Sequence, residues 1–199
     1  MYLSKVWLDW HWAKDPYQQH RALWQLFPDR AAEKRDFLFR VEDWQSRKGA
    51  AVLMQSALAP ATTEVAQVLA TKTVAFTIPI GRTLRFKLRA NPVKTIKDER
   101  QRLNRKGEVK TCRVPLVQEE QQLQWLMRKL APAARLESAW VSKEQPLYFR
   151  KGEMAGKIQP ICFEGLLTIE DTAAWQILIQ QGIGPGKAMG CGLLSVAPA

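Results

Sequence analysis

The chain has 199 residues, 30 Lys and Arg against 19 Asp and Glu, and a net charge of +11 at pH 7. Hydrophobic residues make up 46% and charged residues 25%, which excludes a disordered or fibrous chain and fits one ordinary domain or two small ones. No apolar run approaches the roughly 18 residues of a membrane helix, and the opening MYLSKVWLDW has no basic stretch followed by an apolar one, so a soluble, unprocessed, cytoplasmic protein with no membrane partner is expected. Cys112, Cys162 and Cys191 are far apart and only His11 and His20 accompany them, a pattern that offers neither a disulfide framework nor a metal site, and no cofactor is expected.

In chain order, Tyr2, Val6, Leu8 and Trp10 recur with period two and predict a first strand. Asp15-Pro16 is a helix start, with Asp as cap and Pro at the first helical position, leading into YQQHRALWQLF up to Pro28. DFLFRV (36–41) and AAVLMQS (50–56) predict paired strands, 62–70 a short helix, and 74–80 a fourth strand broken by Pro79. After Gly81, residues 83–89 predict a strand, 94–113 a basic insert, and 119–130 a helix whose apolar stripe is Leu123, Leu126, Met127 and Leu130. Residues 135–141 and 157–169 predict strands, Asp171 caps a helix with Trp175, Leu178 and Ile179 inward and Gly182 at its end, and 190–196 is the last strand. The fold class is α+β: two tandem ferredoxin-like (RRM-like, βαββαβ) domains, 1–81 and 82–199, with the insert in the second.

Residues 1–81 carry 10 basic and 8 acidic side chains, residues 114–199 carry 8 of each, and residues 82–113 carry 12 and 3. Nine of the eleven excess charges thus lie in 32 residues, a footprint for a polyanion; a solvated face without a partner is the alternative. In TLRFKLR, Leu84, Phe86 and Leu88 alternate with Arg85, Lys87 and Arg89, so a buried face backs a basic row. Lys106-Gly107 is a turn between two arms that carry Lys94, Arg102, Arg105, Lys106, Lys110 and Arg113, forming a hairpin or helix-turn element. Aromatic residues are nearly absent there, so phosphate contacts are favoured over base stacking.

Gly182, Gly184, Gly186, Gly190 and Gly192 place five glycines in eleven positions, which allows positive φ and close approach of backbone to a ligand, with Lys187 supplying charge. No Gly-Lys-Ser/Thr occurs and a helix precedes the loop, so it is not a nucleotide-hydrolysing P-loop. Its G-x-G-x5-G-x-G spacing resembles the signature of the RAMP superfamily of CRISPR-associated RNA-binding proteins. With MYLSKV, DPYQQH, DFLF, LRANPVKT, GKIQ and GIGPGKAMGCGLLSVAP in order, the whole chain is similar to the pre-crRNA endoribonucleases of type I-E CRISPR systems, subunits of Cascade. The resemblance implies two ferredoxin-like domains, a CRISPR repeat hairpin as substrate, metal-independent cleavage at the 3′ side of its stem, retention of the crRNA product, and association with other Cascade subunits.

Metal-free RNA cleavage uses the ribose 2′-OH as nucleophile and leaves a 2′,3′-cyclic phosphate and a 5′-OH. It needs one proton removed, one donated, and the phosphate charge stabilised, and an imidazole suits either transfer at neutral pH. Tyr17, His20, Arg21 and Trp24 share one arc of the first helix, beside the core-facing arc of Leu23, Leu26 and Phe27. His20 at the border is an ordinary helix histidine or a catalytic one. In the resembling family a histidine on this helix is catalytic, which assigns His20 as general acid or base and Tyr17 as the group orienting it or the phosphate. Arg21 is a phosphate-clamp candidate, Trp24 a packing residue, and Gln25 stands where some members carry a lysine. Lys157, beside Gly156, and Lys187 are further RNA-binding candidates. The alternatives are a non-catalytic RNA-hairpin-binding subunit and an interaction scaffold with an incidental basic loop.

Overall fold

Ser4, Val6 and Leu8 are buried while Lys5 and Asp9 are exposed, and this alternation makes β1 (Tyr2–Asp9) the inner strand of a sheet. The computed structural model describes residues 1–28, 36–151 and 154–199. After β1 come two helices, α1 (Trp10–Ala13) and α2 (Pro16–Gln25), then β2 (Phe37–Gln45), β3 (Gly49–Ser56) and β4 (Ala66–Thr73). All pairings are antiparallel, in the order β2-β3-β1-β4. Helix α2 closes one face of this sheet, packing Leu23 into a core with Val6, Leu8, Phe37, Phe39 and Met54.

The second half opens with β5 (Thr83–Ala90), followed by a hairpin of β6 (Val93–Lys97) and β7 (Thr111–Pro115). Helix α3 (Glu119–Leu130), β8 (Ala134–Lys143), a second hairpin of β9 (Leu147–Lys151) and β10 (Met154–Ile158), β11 (Ile161–Ile169), α4 (Thr172–Gln181) and β12 (Leu194–Pro198) complete it. Its sheet runs β12-β5-β11-β8, again antiparallel. Taken within each half, the strands of both sheets stand in the order fourth, first, third, second, as two ferredoxin-like units require. Leu88, Leu126, Phe163, Trp175 and Ile179 form the second core.

The structure corrects the sequence expectations in several places. Residues 62–70 are not helical: from Ala66 onward they form β4, which covers the edge of β1. Tertiary pairing overrides the helix preference of Ala, Glu, Gln and Leu there. Residues 74–80 form no strand. Phe76 and Ile78 pack on the second core, and α4 ties this segment down through Thr172 Oγ1 donating to the Ile78 carbonyl at 2.9 Å and Gln176 Nε2 donating to Thr77 Oγ1 at 2.9 Å. The α3 stripe uses Trp125 with Leu126 and Leu130, while Met127 faces solvent. The segment 157–169 is two strands parted at Gln159-Pro160, and the last strand begins at Leu194, after a 3-10 turn at Lys187–Met189.

The halves are joined by polar side chains. Arg40 of β2 is 4% exposed and donates to the Lys87 carbonyl at 3.0 Å, the Leu193 carbonyl at 3.3 Å and the Ser195 hydroxyl at 2.9 Å, while Glu42 Oε1 lies 2.6 Å from its Nη2. Gln55 Nε2 donates to the Ile179 carbonyl at 2.8 Å.

Candidate nucleic-acid interface

The cap expected at Asp15 forms, its Oδ1 accepting from Tyr17 N at 2.8 Å and Gln18 N at 3.0 Å. Buried Gln19 then donates from Nε2 to the Ala13 carbonyl at 2.6 Å and fixes α2 against α1. On the border of the helix, the His20 ring lies 5.7 Å from Phe37 at 31° and 6.3 Å from Trp24, edge-on; Trp24 meets Phe37 at 5.5 Å. These rings restrict the imidazole's orientation while it still lines a cleft, and Trp24 serves there as a packing residue.

The cleft has a volume of about 1250 Å³. His20 forms one wall and the glycine loop another, with α2 packed on the 3-10 turn and on β9. All five loop glycines have positive φ, from 71° to 93°. At Gly182 a Cβ would sit 2.6 Å from Leu38 Cδ1 and 2.7 Å from the Gly192 carbonyl, and at Gly184 it would sit 2.7 Å from Trp125 Cζ2. Glycine is therefore required where the loop crosses the first sheet and where it passes α3.

Four cations, Arg113, Lys129, Lys157 and Lys187, line the cleft, and among the described residues no Asp or Glu does. Lys187 Nζ donates to the Gln181 carbonyl at 2.6 Å, and Lys157 Nζ stands 5.3 Å from the centroid of the Tyr148 ring. Lys129 was not among the sequence candidates. It follows Arg128 in the last turn of α3, where cations favour the helix dipole anyway, so nothing in the sequence singled it out.

Other candidates lie elsewhere. Tyr17 is half-buried outside the cleft lining, and exposed Arg21 donates from Nη1 to Gln18 Oε1 at 3.4 Å. The basic row on β5 is largely neutralised: Lys87 pairs with Glu164 at 2.8 Å and Arg89, 9% exposed, with Glu144 at 2.6 Å. The Arg89 Nε–H is not aligned into a hydrogen bond, so charge holds that pair. Arg89 is thus set into the fold beside the loop, with its carbonyl accepting from Gly192 N at 2.7 Å. Gly190 and Gly192 likewise face inward rather than into the cleft.

The insert is a hairpin of its own, with Lys94, Arg105, Lys106, Lys110 and Arg113 exposed. Its tip turns at Gly107, φ 78°, with Asn104 Oδ1 accepting from Lys106 N at 2.8 Å and Glu108 N at 3.1 Å. Arg102 differs from its neighbours. It donates from Nε and Nη2 to the two Asp98 oxygens at 2.7 and 3.1 Å, which holds the Asp98 carboxyl below its usual range.

The family model described as "CRISPR associated protein" matches residues 1–198. The "CRISPR system Cascade subunit CasE" of Escherichia coli K12 is 54% identical over 198 residues and all of both chains. The crystal structure of Cas6e from that strain superposes with a TM-score of 0.87 at 52% identity, again over both full chains. The "CRISPR-associated endoribonuclease Cse3" of Thermus thermophilus is 34% identical over 92% of this chain and 90% of its own. A structure of Thermus thermophilus Cse3 bound to an RNA representing a pre-cleavage complex gives a TM-score of 0.77 at 32% identity, covering 99% and 98% of the two chains.

Proposed function

The chain belongs to the CRISPR associated protein family, and on that premise we propose that it is the endoribonuclease that cleaves CRISPR repeat hairpins in precursor crRNA, stays on the crRNA, and works in the cytoplasm as a Cascade subunit. The observation that carries this reading is the cleft that an aromatic-held His20 shares with four cations and, among the described residues, no carboxylate. That surface suits a phosphodiester and a proton transfer.

Within it His20 moves a proton to or from the reacting oxygens, and the cations stabilise the extra phosphate charge. The 2′-OH of the strand attacks the adjacent phosphorus, the 5′-oxygen leaves, and the products are a 2′,3′-cyclic phosphate and a 5′-OH, with no metal in the step. Tyr17, one turn before His20, orients that histidine or the phosphate, and exposed Arg21 contacts RNA. Residues 1–81 thereby carry the proton transfer and residues 82–199, with hairpin and glycine loop, hold the RNA; the exposed hairpin cations contact the A-form stem by its shape and phosphates.

The test is incubation of a repeat hairpin in EDTA with wild type and His20→Ala, followed by analysis of product ends. Wild type yields the cyclic phosphate and the variant loses at least about a hundredfold in rate. Cleavage that requires a divalent ion, or a variant within threefold of wild type, refutes the mechanism.

A further inference from the structure

Asn91 lies between β5 and β6, at the root of the basic hairpin. It is 7% exposed, and its Oδ1 is buried with no hydrogen-bond partner among the described residues. The same residue lines the cleft together with His20, and its Cβ would lie 3.5 Å from a Cβ at Gly186 of the glycine loop. Its backbone is held in place. Pro92 fixes the next φ, and the Pro92 carbonyl accepts from Leu116 N at 3.0 Å across the base of the hairpin.

A buried acceptor left unmatched costs about 1–3 kcal/mol, so one that the fold retains in the lining of a candidate binding cleft calls for a ligand that supplies the missing donor. The cleft's cations answer phosphate oxygens, which only accept. A carboxamide oxygen answers the opposite chemistry. On an RNA strand the donors are the ribose 2′-hydroxyl and the base amino and imino groups; a DNA backbone has none. The terminal torsion of asparagine is soft and roughly two-fold, so the group can turn its oxygen toward such a donor as the strand seats.

We infer that Asn91 is a positioning residue for RNA, its carboxamide oxygen accepting a hydrogen bond from a 2′-hydroxyl or a base N–H of the strand in the cleft. The inference rests on the endoribonuclease reading and adds to it a group that recognises the strand by what it donates, and that selects RNA over DNA where the donor is the 2′-hydroxyl. It also couples the hairpin to the cleft, because Asn91 is where the first arm leaves the second sheet.

The experiment measures affinity for the repeat hairpin in a His20→Ala background with and without Asn91→Leu, using RNAs carrying single 2′-deoxy nucleotides or bases lacking one amino group around the scissile phosphate. Asn91→Leu is expected to weaken the unmodified RNA about three- to tenfold, the span of one net hydrogen bond. One modified RNA, a 2′-deoxy or an amino-deleted one, is expected to bind the protein that retains Asn91 more weakly by the same factor and the Asn91→Leu protein no more weakly than unmodified RNA does, and its identity names the donor. Because an apolar group of similar shape replaces an unmatched acceptor, Asn91→Leu is also expected to be no less stable than the parent in urea. Equal RNA affinities, or losses that add at every modified position, overturn the inference, as does a drop in stability with RNA affinity unchanged. Should Asn91→Leu not fold, Asn91→Ala carries the same comparison. Cleavage of the unmodified hairpin by the wild-type chain is run alongside: its failure counts against the endoribonuclease reading, whereas a failed coupling counts against Asn91 alone.

Discussion

Arg40 donates from Nη2 to the hydroxyl of Ser195 at 2.9 Å, linking β2 of the first half to β12 of the second within three residues of the glycine loop. The same guanidinium reaches the Lys87 and Leu193 carbonyls and Glu42, so one buried side chain fixes the first sheet to the segment that forms the cleft. Arg40→Met keeps much of the apolar stem but strands the buried Leu193 carbonyl and removes the bonds to Ser195 and the Lys87 carbonyl. Stability in urea is expected to fall by about 2–3 kcal/mol with the m-value unchanged. A loss below about 0.5 kcal/mol, by the same principle the value of a dispensable hydrogen bond, contradicts this role.

The hairpin cations are not equivalent. Arg105, Lys110 and Arg113 are exposed, with no carboxylate ion pair among the described residues, whereas Arg102 is held by Asp98 through two hydrogen bonds. Replacing Arg105, Lys110 and Arg113 by Gln is expected to flatten the slope of log affinity for a repeat hairpin against log salt by about two to three. Arg102→Gln, which removes a charge already matched, is expected to leave that slope within a few tenths of wild type. Titrations from low to high salt distinguish the two, and a full unit of flattening from Arg102→Gln alone argues that it leaves Asp98 for phosphate.

Strands and caps that depend on local pattern were legible in the sequence: β1, β5, the Asp15 and Asp171 caps, the hairpin turn at Gly107. So were the glycine loop, from its five glycines in eleven positions, and the place of His20 at the border of its helix, from the helical spacing; the resemblance supplies the role proposed for His20. Interactions settled by tertiary packing were not. Arg40 sits in an apolar-looking stretch, DFLFRV, and nothing local says that its acceptors in the second half lie 47 to 155 residues away in sequence. Arg89 looked like one of a basic row because alternation gives the face of a residue and not its partner, and Glu144 comes from the loop after β8. β4 was missed because the open edge of β1, not the propensity of TTEVAQVLA, decides its conformation. The cleft draws on separate elements, so Lys129 and Asn91 could be placed there only once α3 and β6 were.

Burial separates the three thiols. Cys162 is pushed up to about 11 and Cys191 to about 12, chiefly by desolvation, while Cys112 is exposed on β7 beside Arg113. At pH 8 a thiol of pKa about 11 is ionised in about one molecule per thousand, and the thiolate is the reactive form. Iodoacetamide is therefore expected to label Cys112 first, as read by peptide mass spectrometry. Saturating repeat RNA is expected to slow that labelling if, as proposed, the hairpin that carries Cys112 lies against the stem; an unchanged rate with bound RNA places the hairpin away from it.

Lys87 and Glu164 face each other on the open side of the second sheet, 2.8 Å apart and 43% and 52% exposed. The hydrogen bond from Lys87 lowers the Glu164 carboxyl, and the same bond raises Lys87 against partial desolvation. Glu164 thus adds stability that is complete above its ordinary value of 4.5 and lost as pH falls through its depressed one. Lys87 adds stability complete below 10.5 and lost as pH rises through its raised value. Lys87→Met is expected to cost about 0.2–1 kcal/mol from about pH 5 to 10, the range for an exposed pair. The difference from wild type should begin to narrow as pH falls below 4.5, closing through the depressed value of Glu164, and should shrink in 1 M salt, where screening is strong. Urea unfolding across pH at two salt concentrations reads this directly, and a deficit that persists undiminished at pH 3 shows that packing of the lysine stem, not its charge, holds this face.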